Sequence, residues 1–358
     1  MKAQAAAVDV RTDAREIRSR HCPTCFLCGA EGEPLYEGLT DCLFDAPGSW
    51  NLKRCPNQRC GLIWLDPMPL EEDIGLAYRT YFTHGAPGNG ASPPPRGLSR
   101  AATACRSAYR AWRFNYGDRA GRPLQWLLAL PILLTRIECD TLDIPLRYLA
   151  APEKGRMLDV GCGDGSIVAL AAETGWAAEG VDFDPAAVAN ARSRGLDVRH
   201  GTLEAQRYPE GSFDLVLMSH VIEHVHDPLG TMREIRRILR PGGLLVATAP
   251  NAASWGHRHF GRHWRGLEPP RHLHVFNGRN FLELADRAGF ARKAVSSTLR
   301  ITSYCFVQSR LVRRTGRGET GQVPLREVVL GRGAALAEML MRLWDPLAAD
   351  ELLLEARK

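Results

Sequence analysis

The sequence predicts an α/β protein built around a mostly parallel sheet, with a small cysteine-bearing module and a helical segment in front of it. Three observations predict this order. After Gly155, short apolar runs typical of strands alternate with helical segments, two pairs of cysteines stand near the amino end, and a stretch rich in glycine and proline separates the two regions. Strands that alternate with helices form βαβ units, and such units build parallel sheets.

Length and composition set the broad class. The 358 residues are enough for one full α/β domain and a smaller module. A formal net charge of +6, with acidic residues almost as widespread as basic ones, does not give the dense basic face of a nucleic-acid reader. The first twenty residues lack the apolar core of a secretory signal, so we expect a cytoplasmic location.

Changes in composition divide the chain. The predicted segments are a flexible tail at 1–20, a cysteine-bearing module at 21–69, a linker at 83–100, a helical segment at 101–150 and the α/β domain at 151–358. In the helical segment Arg106, Arg110 and Arg113 fall on one face. A solvated face is the favoured interpretation, and peripheral contact with a membrane or another anionic acceptor is the alternative. The apolar run at 124–134 is about half the ~20 residues that a membrane span needs.

The elements of the α/β domain can be placed from its apolar runs. The predicted strands are 157–160, 178–181, 213–218 and 244–248, and the predicted helices are 167–174, 185–194 and 228–239. The first strand runs into a glycine loop, where Gly161 and Gly163 let a ligand approach the backbone. The loop matches the dinucleotide fingerprint only in part, because Ser166 stands where a third glycine would be.

Two acidic residues follow the second strand of this domain. Asp182 closes that strand about twenty residues after the glycine loop, where a carboxylate can accept hydrogen bonds from two ribose hydroxyls. Asp184 stands before Pro185 and fits a helix N-cap instead.

Two further segments make a family resemblance specific. Residues 212–225 and 237–246, taken with the glycine loop and Asp182, resemble class I S-adenosylmethionine-dependent methyltransferases over about residues 155–290. The resemblance implies a Rossmann-like seven-stranded sheet with an antiparallel last strand, S-adenosyl-L-methionine as cofactor, and methyl transfer as the activity.

The resemblance also implies a set of cofactor contacts. They are Asp159, Gly161, Cys162, Gly163, Asp182, Phe183, Glu204, Ser219 and His220. Asp159 would lie near the amino end of the cofactor, and Asp182 on its ribose. Glu204 stands where such enzymes often contact adenine, but an exposed glutamate is an equally good interpretation.

Histidines supply the candidate catalytic groups. His220, His224 and His272 could take a proton from a hydroxyl acceptor, although methyl transfer does not require a base. His220, Glu223 and His224 would share a helix face. Ubiquinone-pathway O-methyltransferases, which this segment resembles, carry a glutamate at the position of His220, so metal binding stays open and a metal-free wall of the site is favoured.

The cysteine pairs indicate a structural metal site. Cys25 with Cys28, and Cys55 with Cys60, are each followed by a glycine that can adopt a tight metal-binding turn, and four thiolates suit zinc. Cys22 is a competing ligand. The order of this module and the domain behind it resembles bacterial methyltransferases with an amino-terminal zinc ribbon, some of which modify sugars. A module this small depends on a metal to fold.

The loop after the fourth predicted strand suggests where the acceptor binds. Residues 255–276 are rich in His, Arg and Trp and follow the carboxyl end of a strand, where ligands enter such sheets. We predict an acceptor pocket bounded by His220, His224, Trp264 and His272 for a small-molecule, sugar or glycan hydroxyl. An RNA-base methyltransferase and a non-catalytic protein that retains the cofactor fold are the rival interpretations.

Overall fold

The computed structural model describes residues 16–79, 98–114, 122–133, 136–151, 153–321 and 323–358. Residues 1–15 of the predicted tail and residues 83–97 of the predicted linker lie outside the described residues. The domain boundaries drawn from the sequence therefore stay predictions.

The amino-terminal module, residues 16–78, is a small antiparallel structure that we call the ribbon. Its elements are β1 (Ser19–Arg20), β2 (Glu33–Leu39), β3 (Trp50–Arg54), β4 (Ile63–Leu65), β5 (Met68–Pro69) and a final 3-10 turn, Ile74–Tyr78. Strands β2, β3 and β4 form a meander, and the short strand β11 (His274–Val275) from the loop at 251–276 pairs with the outer edge of β4. Every residue of β4 is buried, because the strand has a neighbour on each edge and apolar contacts on both faces.

Three helices follow, α1 (Leu98–Phe114), α2 (Arg122–Leu133) and α3 (Arg136–Leu149). The Tyr109 hydroxyl of α1 donates to Asp143 of α3 over 2.6 Å, which joins the first helix to the third. Arg106 and Arg113 are exposed, and Arg113 lies 3.9 Å from Asp143. Among the described residues we find no helix with the length and apolar content to cross a bilayer.

The remaining chain forms the large sheet and its covering helices. The elements are β6 (Arg156–Val160), α4 (Ser166–Glu173), β7 (Ala177–Asp182), α5 (Pro185–Ser193), β8 (Val198–His200), β9 (Phe213–Ser219), α6 (Pro228–Ile238), β10 (Leu239–Pro250), α7 (Trp255–Phe260), α8 (Gly278–Arg287), β12 (Arg292–Thr298), α9 (Thr302–Thr315), α10 (Leu325–Met341) and β13 (Glu351–Arg357).

The strand order is β12-β13-β10-β9-β6-β7-β8, in which β13 runs antiparallel to both of its neighbours and the other pairs are parallel. The predicted Rossmann-like seven-stranded α/β sheet with an antiparallel last strand is confirmed. The four predicted strands lie at β6, β7, β9 and β10, although β10 begins at Leu239, earlier than expected. The predicted N-cap is also present, since the Asp184 side chain accepts from the backbone N–H of Ala186.

The ribbon and the sheet domain share one apolar core. A single cluster of buried side chains includes Leu52 and Ile63 of the ribbon together with Phe276 and Phe281 of the domain. Polar contacts reinforce it at the metal-binding turn, where the side chain of Asn277, the N-cap of α8, donates to the carbonyl of Cys60 over 2.8 Å. The ribbon is thus docked on the loop that follows β10 and on the start of α8.

Candidate active site and metal centre

The glycine loop between β6 and α4 is hydrogen-bonded through its backbone to the carboxylate of Asp182. Gly161 and Gly163 have φ angles of 71° and 53°, in the left-handed region that side chains rarely tolerate. The Oδ2 atom of Asp182 accepts from the N–H of Gly163 over 2.8 Å, and its Oδ1 accepts from the N–H of Asp184 over 2.9 Å. A Cβ on Gly163 would meet nothing within 4 Å, so the loop leaves space for a ligand beside its backbone.

Asp159, near the end of β6, is a buried carboxyl that is 4% exposed. Burial, with smaller contributions from the charges of Asp182 and Asp164, raises the pKa of Asp159 to about 8. A carboxyl held in this way gains most from a cationic ligand, because an opposite charge would restore its ionised form.

The other predicted cofactor residues differ in their surroundings. The Cys162 side chain packs in an apolar cluster with Val168 and Val188, so it is a core residue. The ring of Phe183 is exposed and meets the edge of Tyr78 at 5.0 Å. The Glu204 carboxylate accepts from the hydroxyl of Thr231 over 2.7 Å, which ties it to α6.

His220 is clamped between two buried carboxylates. Its Nδ1 lies 3.1 Å from Glu223, and its Nε2 lies 2.7 Å from Glu351 of β13. Burial opposes the charged ring, but these hydrogen bonds raise the pKa of His220 to about 9. At neutral pH both ring nitrogens therefore donate, and His220 has no lone pair with which to accept a proton from a substrate.

The expectation that His220 shares a helix face with Glu223 and His224 is wrong. His220 has a φ of 54° and precedes a short 3-10 turn, Ile222–His224. The positive φ turns its ring towards β13. His220 still contacts Glu223, but through a turn and not across one face of an α-helix.

Arg300, in the turn after β12, completes the clamp. Its guanidinium donates to Glu351, to the hydroxyl of Ser219 over 3.1 Å and to the hydroxyl of Thr248 over 3.2 Å. Ser219 ends β9 and pairs with Thr248, two residues before the end of β10, and their hydroxyls lie 3.1 Å apart. This polar group thus closes the carboxyl edge of the sheet beside the glycine loop.

His224 and His272 form a second pair, with ring centroids 4.8 Å apart. The Nδ1 of His224 lies 2.9 Å from the carbonyl of Arg271, which can only accept, so Nδ1 carries the hydrogen and Nε2 the lone pair. His272 is held in the same way by the carbonyl of Gly266 at 2.8 Å, and burial lowers the pKa of His272 to about 4. The structure therefore brings the three predicted catalytic histidines together, since His220 contacts Glu223 and the rings of His224 and His272 lie side by side.

A divalent cation could be held beside this pair. One ligand atom from each of Glu223, His224 and His272 lies within 4.8 Å of the others. The Oε2 atom of Glu223 is buried and has no hydrogen-bond partner in the described chain. Carboxylate and imidazole ligands together suit several first-row metals. The sequence motif would add His220 to this set. Both ring nitrogens of His220, however, already contact the carboxylates of Glu223 and Glu351.

Trp264 departs from the expectation that it borders the acceptor pocket. Its side chain is 2% exposed, its N–H donates to Asp350 over 2.9 Å, and its ring stacks on His257 at 4.9 Å. The benzo edge also abuts Gly266. Trp264 is therefore a core residue of the loop.

Arg271 joins the loop to the ribbon. The guanidinium is fully buried and donates to Asp41 over 2.8 Å, to the carbonyl of Ala77 over 2.9 Å and to Glu268 over 2.8 Å. Its own carbonyl accepts from His224. Beside it, the Tyr78 hydroxyl lies 3.0 Å from the Nδ1 of His224, so the end of the ribbon reaches both His224 and Phe183.

Tyr78, Arg300 and Glu351 were absent from the sequence-based site. They lie 146 residues from His224, 81 from Ser219 and 131 from His220 in the chain, so no spacing rule connects them. The single sequence signal was the position of Glu351 at the start of an apolar run, Leu352-Leu353-Leu354, which marks the last strand.

The four predicted metal ligands of the ribbon converge. The sulfurs of Cys25, Cys28, Cys55 and Cys60 all lie within 4.8 Å of one another, with Cys25 3.7 Å from Cys60 and Cys28 3.3 Å from Cys55. A tetrahedral site with Zn–S bonds of about 2.3 Å places its sulfurs roughly 3.8 Å apart, so this set fits zinc. Cys22 is outside the group; its N–H donates to Asp66 over 2.8 Å.

The shifted pKa values of these thiols are also consistent with a bound cation. A hydrogen bond with Cys60 lowers the pKa of Cys25 to about 5, and the same contact together with burial raises the pKa of Cys60. Burial, and then a hydrogen bond with Cys28, raises the pKa of Cys55 to about 11. Four thiolates can therefore share this space only when a positive charge lies between them.

Known proteins match the sheet domain. A family model described as a methyltransferase domain matches residues 134–294. The ubiquinone biosynthesis O-methyltransferase of Roseobacter denitrificans is 34% identical over 173 residues, which cover 42% of this chain and 70% of that protein. The chain belongs to the S-adenosylmethionine-dependent methyltransferase family. The predicted membership is confirmed. The ribbon of this methyltransferase precedes the residues that the family model matches.

Two further similarities accompany this one. A Mycolicibacterium smegmatis protein named as a probable S-adenosylmethionine-dependent methyltransferase is 36% identical over 154 residues, which cover 41% of this methyltransferase and 57% of that relative. A crystal structure of a SAM-dependent methyltransferase from Archaeoglobus fulgidus aligns with a TM-score of 0.43 at 18% identity, over 65% of this chain and 99% of that one.

We predict that cofactor binding by this methyltransferase depends on the ionisation of Asp159. Its folded pKa of about 8 lies above the ordinary value, so a cationic amino group that pairs with it must displace a proton. Below about pH 7.5, where an α-amino group stays charged, affinity for S-adenosylmethionine should rise as pH rises, by up to about tenfold per unit. Calorimetry in buffers of different ionisation enthalpy would measure both the affinity and the released proton.

The variant Asp159→Asn should bind more weakly and lose the pH dependence. Asp164→Asn, which neutralises an exposed carboxylate of the same loop, is the matched control and should keep the pH dependence, displaced to slightly lower pH because the charge of Asp164 helps to raise the pKa of Asp159. A wild-type affinity that does not change over this range would rule out the contact with the amino group.

Proposed function

We propose that this chain transfers the methyl group of S-adenosylmethionine to a hydroxyl of a small molecule, sugar or glycan. The observation that carries the proposal is the His224–His272 pair, whose ring centroids lie 4.8 Å apart and whose ligand atoms lie within 4.8 Å of the buried Glu223 carboxylate. Several relatives named as ubiquinone biosynthesis O-methyltransferases support a small-molecule hydroxyl as the acceptor class. None of the contacts in the ribbon favours the RNA alternative.

The cofactor would occupy the glycine loop. The backbone at Gly161 and Gly163 would lie against it, Asp159 would face its amino group, and the outer lone pairs of Asp182 would accept from the ribose hydroxyls. Ser219 and His220 would flank the methionine end. Phe183 and Glu204 would lie on the adenine side, where the exposed ring of Phe183 offers an apolar contact.

The residues of this chain then align the acceptor and receive its proton. S-adenosylmethionine supplies an already activated methyl group, so orientation and exclusion of water are the main tasks of the protein. We assign the proton to the Nε2 of His224, which is only partly buried and whose Nδ1–H is oriented by the carbonyl of Arg271. His220 stays protonated and holds Glu223 and Glu351 in place. His272 is neutral and packs against the ring that accepts the proton.

We further propose that Cys25, Cys28, Cys55 and Cys60 hold one structural zinc ion. The ion would supply the positive charge that four crowded thiolates need, and it would fix the turn whose Cys60 carbonyl accepts from Asn277. All four positions of a tetrahedral site would be filled by sulfur, so the ion would take no part in methyl transfer.

The first test of this function is His224→Gln. We expect the rate of methyl transfer to fall by about 10²–10⁴-fold, because the acceptor proton loses its oriented base, while affinity for the cofactor is unchanged. The assay follows labelled methyl from S-adenosylmethionine into the small-molecule, glycan and RNA fractions of the source cell. The matched control is His226→Gln, two residues further on, whose ring contacts the carbonyl of Pro69 instead.

Two results would overturn the assignment. If labelled methyl enters RNA but neither the small-molecule nor the glycan fraction, the acceptor is RNA and not a small molecule or glycan. If the His224→Gln enzyme keeps the full wild-type rate, His224 is not the base, and the histidine pair contributes only by positioning the acceptor.

The second test is metal content. Elemental analysis should give one zinc per chain, and Cys55→Ser should lose it and melt at a lower temperature, because the turn that anchors the ribbon is no longer cross-linked. Cys22→Ser should retain the ion, since its sulfur lies outside the cluster. A stable, metal-free wild-type protein would exclude the site, and zinc lost on Cys22→Ser would change the ligand set.

A further inference from the structure

Helix α10 exposes a stripe of apolar side chains to solvent and buries its two glutamates. Leu325, Val329, Leu336 and Leu340 recur at helical spacing, and Leu343 continues the stripe just beyond the last turn. All five side chains are exposed, and Leu325 and Leu343 are 78% and 73% exposed. At 1.5 Å per residue the stripe is about 27 Å long.

The opposite face of α10 carries the carboxylates. Glu327 is fully buried and accepts from Arg310 over 2.9 Å and from Arg314 over 3.2 Å, both on α9. Glu338 is buried and accepts from the hydroxyl of Thr302 over 2.7 Å. Between them Gly331 lets the two helices approach closely, since a Cβ there would lie 2.9 Å from the backbone of α9.

The exposed stripe is therefore fixed by the fold. The buried ion pairs and the close glycine contact hold α10 against α9 in one orientation, and rotation about its axis would bury leucines only by exposing Glu327 and Glu338. An exposed apolar patch that the fold maintains marks an interaction surface.

The charges around the stripe point to the partner. Arg326 and Arg332 are the exposed charged residues of α10, because both of its glutamates face inward, although the Nε of Arg326 lies 3.5 Å from the Glu327 carboxylate. Trp344, 81% exposed, lies at the end of the stripe beside Leu343. Leucines flanked by arginines and ended by a tryptophan are the composition of a helix that lies in the interface of an anionic bilayer.

We propose that α10 and the turn after it, residues 325–344, dock this protein on an anionic phospholipid surface. A second copy of the chain fits less well, because a symmetric contact would bring together arginines of both copies, and the exposed carboxylate nearest in sequence, Asp345, already accepts from the N–H of Leu347. The surface is separate from the residues proposed for methyl transfer, so the two proposals can fail independently.

Co-sedimentation of the full chain with vesicles tests the proposal. We expect the wild type to bind vesicles that contain phosphatidylglycerol and phosphatidylcholine in equal parts, and to bind phosphatidylcholine vesicles more weakly. Leu336→Ser with Leu340→Ser should reduce binding by about tenfold or more, whereas Leu336→Ile with Leu340→Ile should keep it. Arg326→Gln and Arg332→Gln should each reduce binding by about fivefold at low salt, and Arg233→Gln, on α6, should have no effect.

Fluorescence gives a second measurement that does not depend on the stability of the serine variant. Vesicles should shift the tryptophan emission of the wild type to shorter wavelength, and Trp344→Phe should bind but lose this shift. Equal co-sedimentation of the wild type and the serine variant would overturn the proposal. So would a wild type that ignores anionic vesicles and forms a dimer that the serine variant abolishes, since a second copy would then cover the stripe.

Discussion

The buried guanidinium of Arg271 is the interaction on which the proposed acceptor side of this protein depends. Its side chain is fully enclosed and is neutralised by Asp41 of the ribbon and Glu268 of the loop, while its carbonyl orients His224. Removing one partner from a buried pair typically costs about 3–5 kcal/mol, because the remaining charge is left without solvent. One residue thus couples the docking of the ribbon to the orientation of the proposed base.

This coupling explains why the ribbon is more than an appendage. The sheet alone provides the glycine loop, Asp159 and Asp182, which are the parts proposed for the cofactor. The ribbon adds Tyr78 beside His224, and its strand β4 pairs with β11 immediately after His272. We therefore regard the cofactor half of the site as the work of the Rossmann-like sheet and the acceptor half as a product of the joint between ribbon and loop.

The sequence predicted the parts whose signal is local. The glycine loop and the acidic residue after β7 depend on a strand, a turn and a helix that are consecutive in the chain, so spacing alone locates Gly163 and Asp182. The cysteine pairs are similar, although choosing Cys28 over Cys22 required the folded turn. The clamp on His220 could not be predicted, because Glu351 arrives from a strand 131 residues away. The burial of Trp264 could not be predicted for the same reason: its partner, Asp350, is 86 residues distant.

Hydrogen exchange on a variant with Cys25→Ser and Cys55→Ser, compared with the wild type, tests most directly whether the ribbon supports the acceptor side. If the coupling through Arg271 holds, loss of the metal turn should speed exchange in the ribbon and also at residues 222–224 and 264–275, while residues 156–163 of β6 and the glycine loop stay protected as in the wild type. Faster exchange confined to residues 19–65, with the histidine-bearing segments unchanged, would contradict it and leave the ribbon as an independent module.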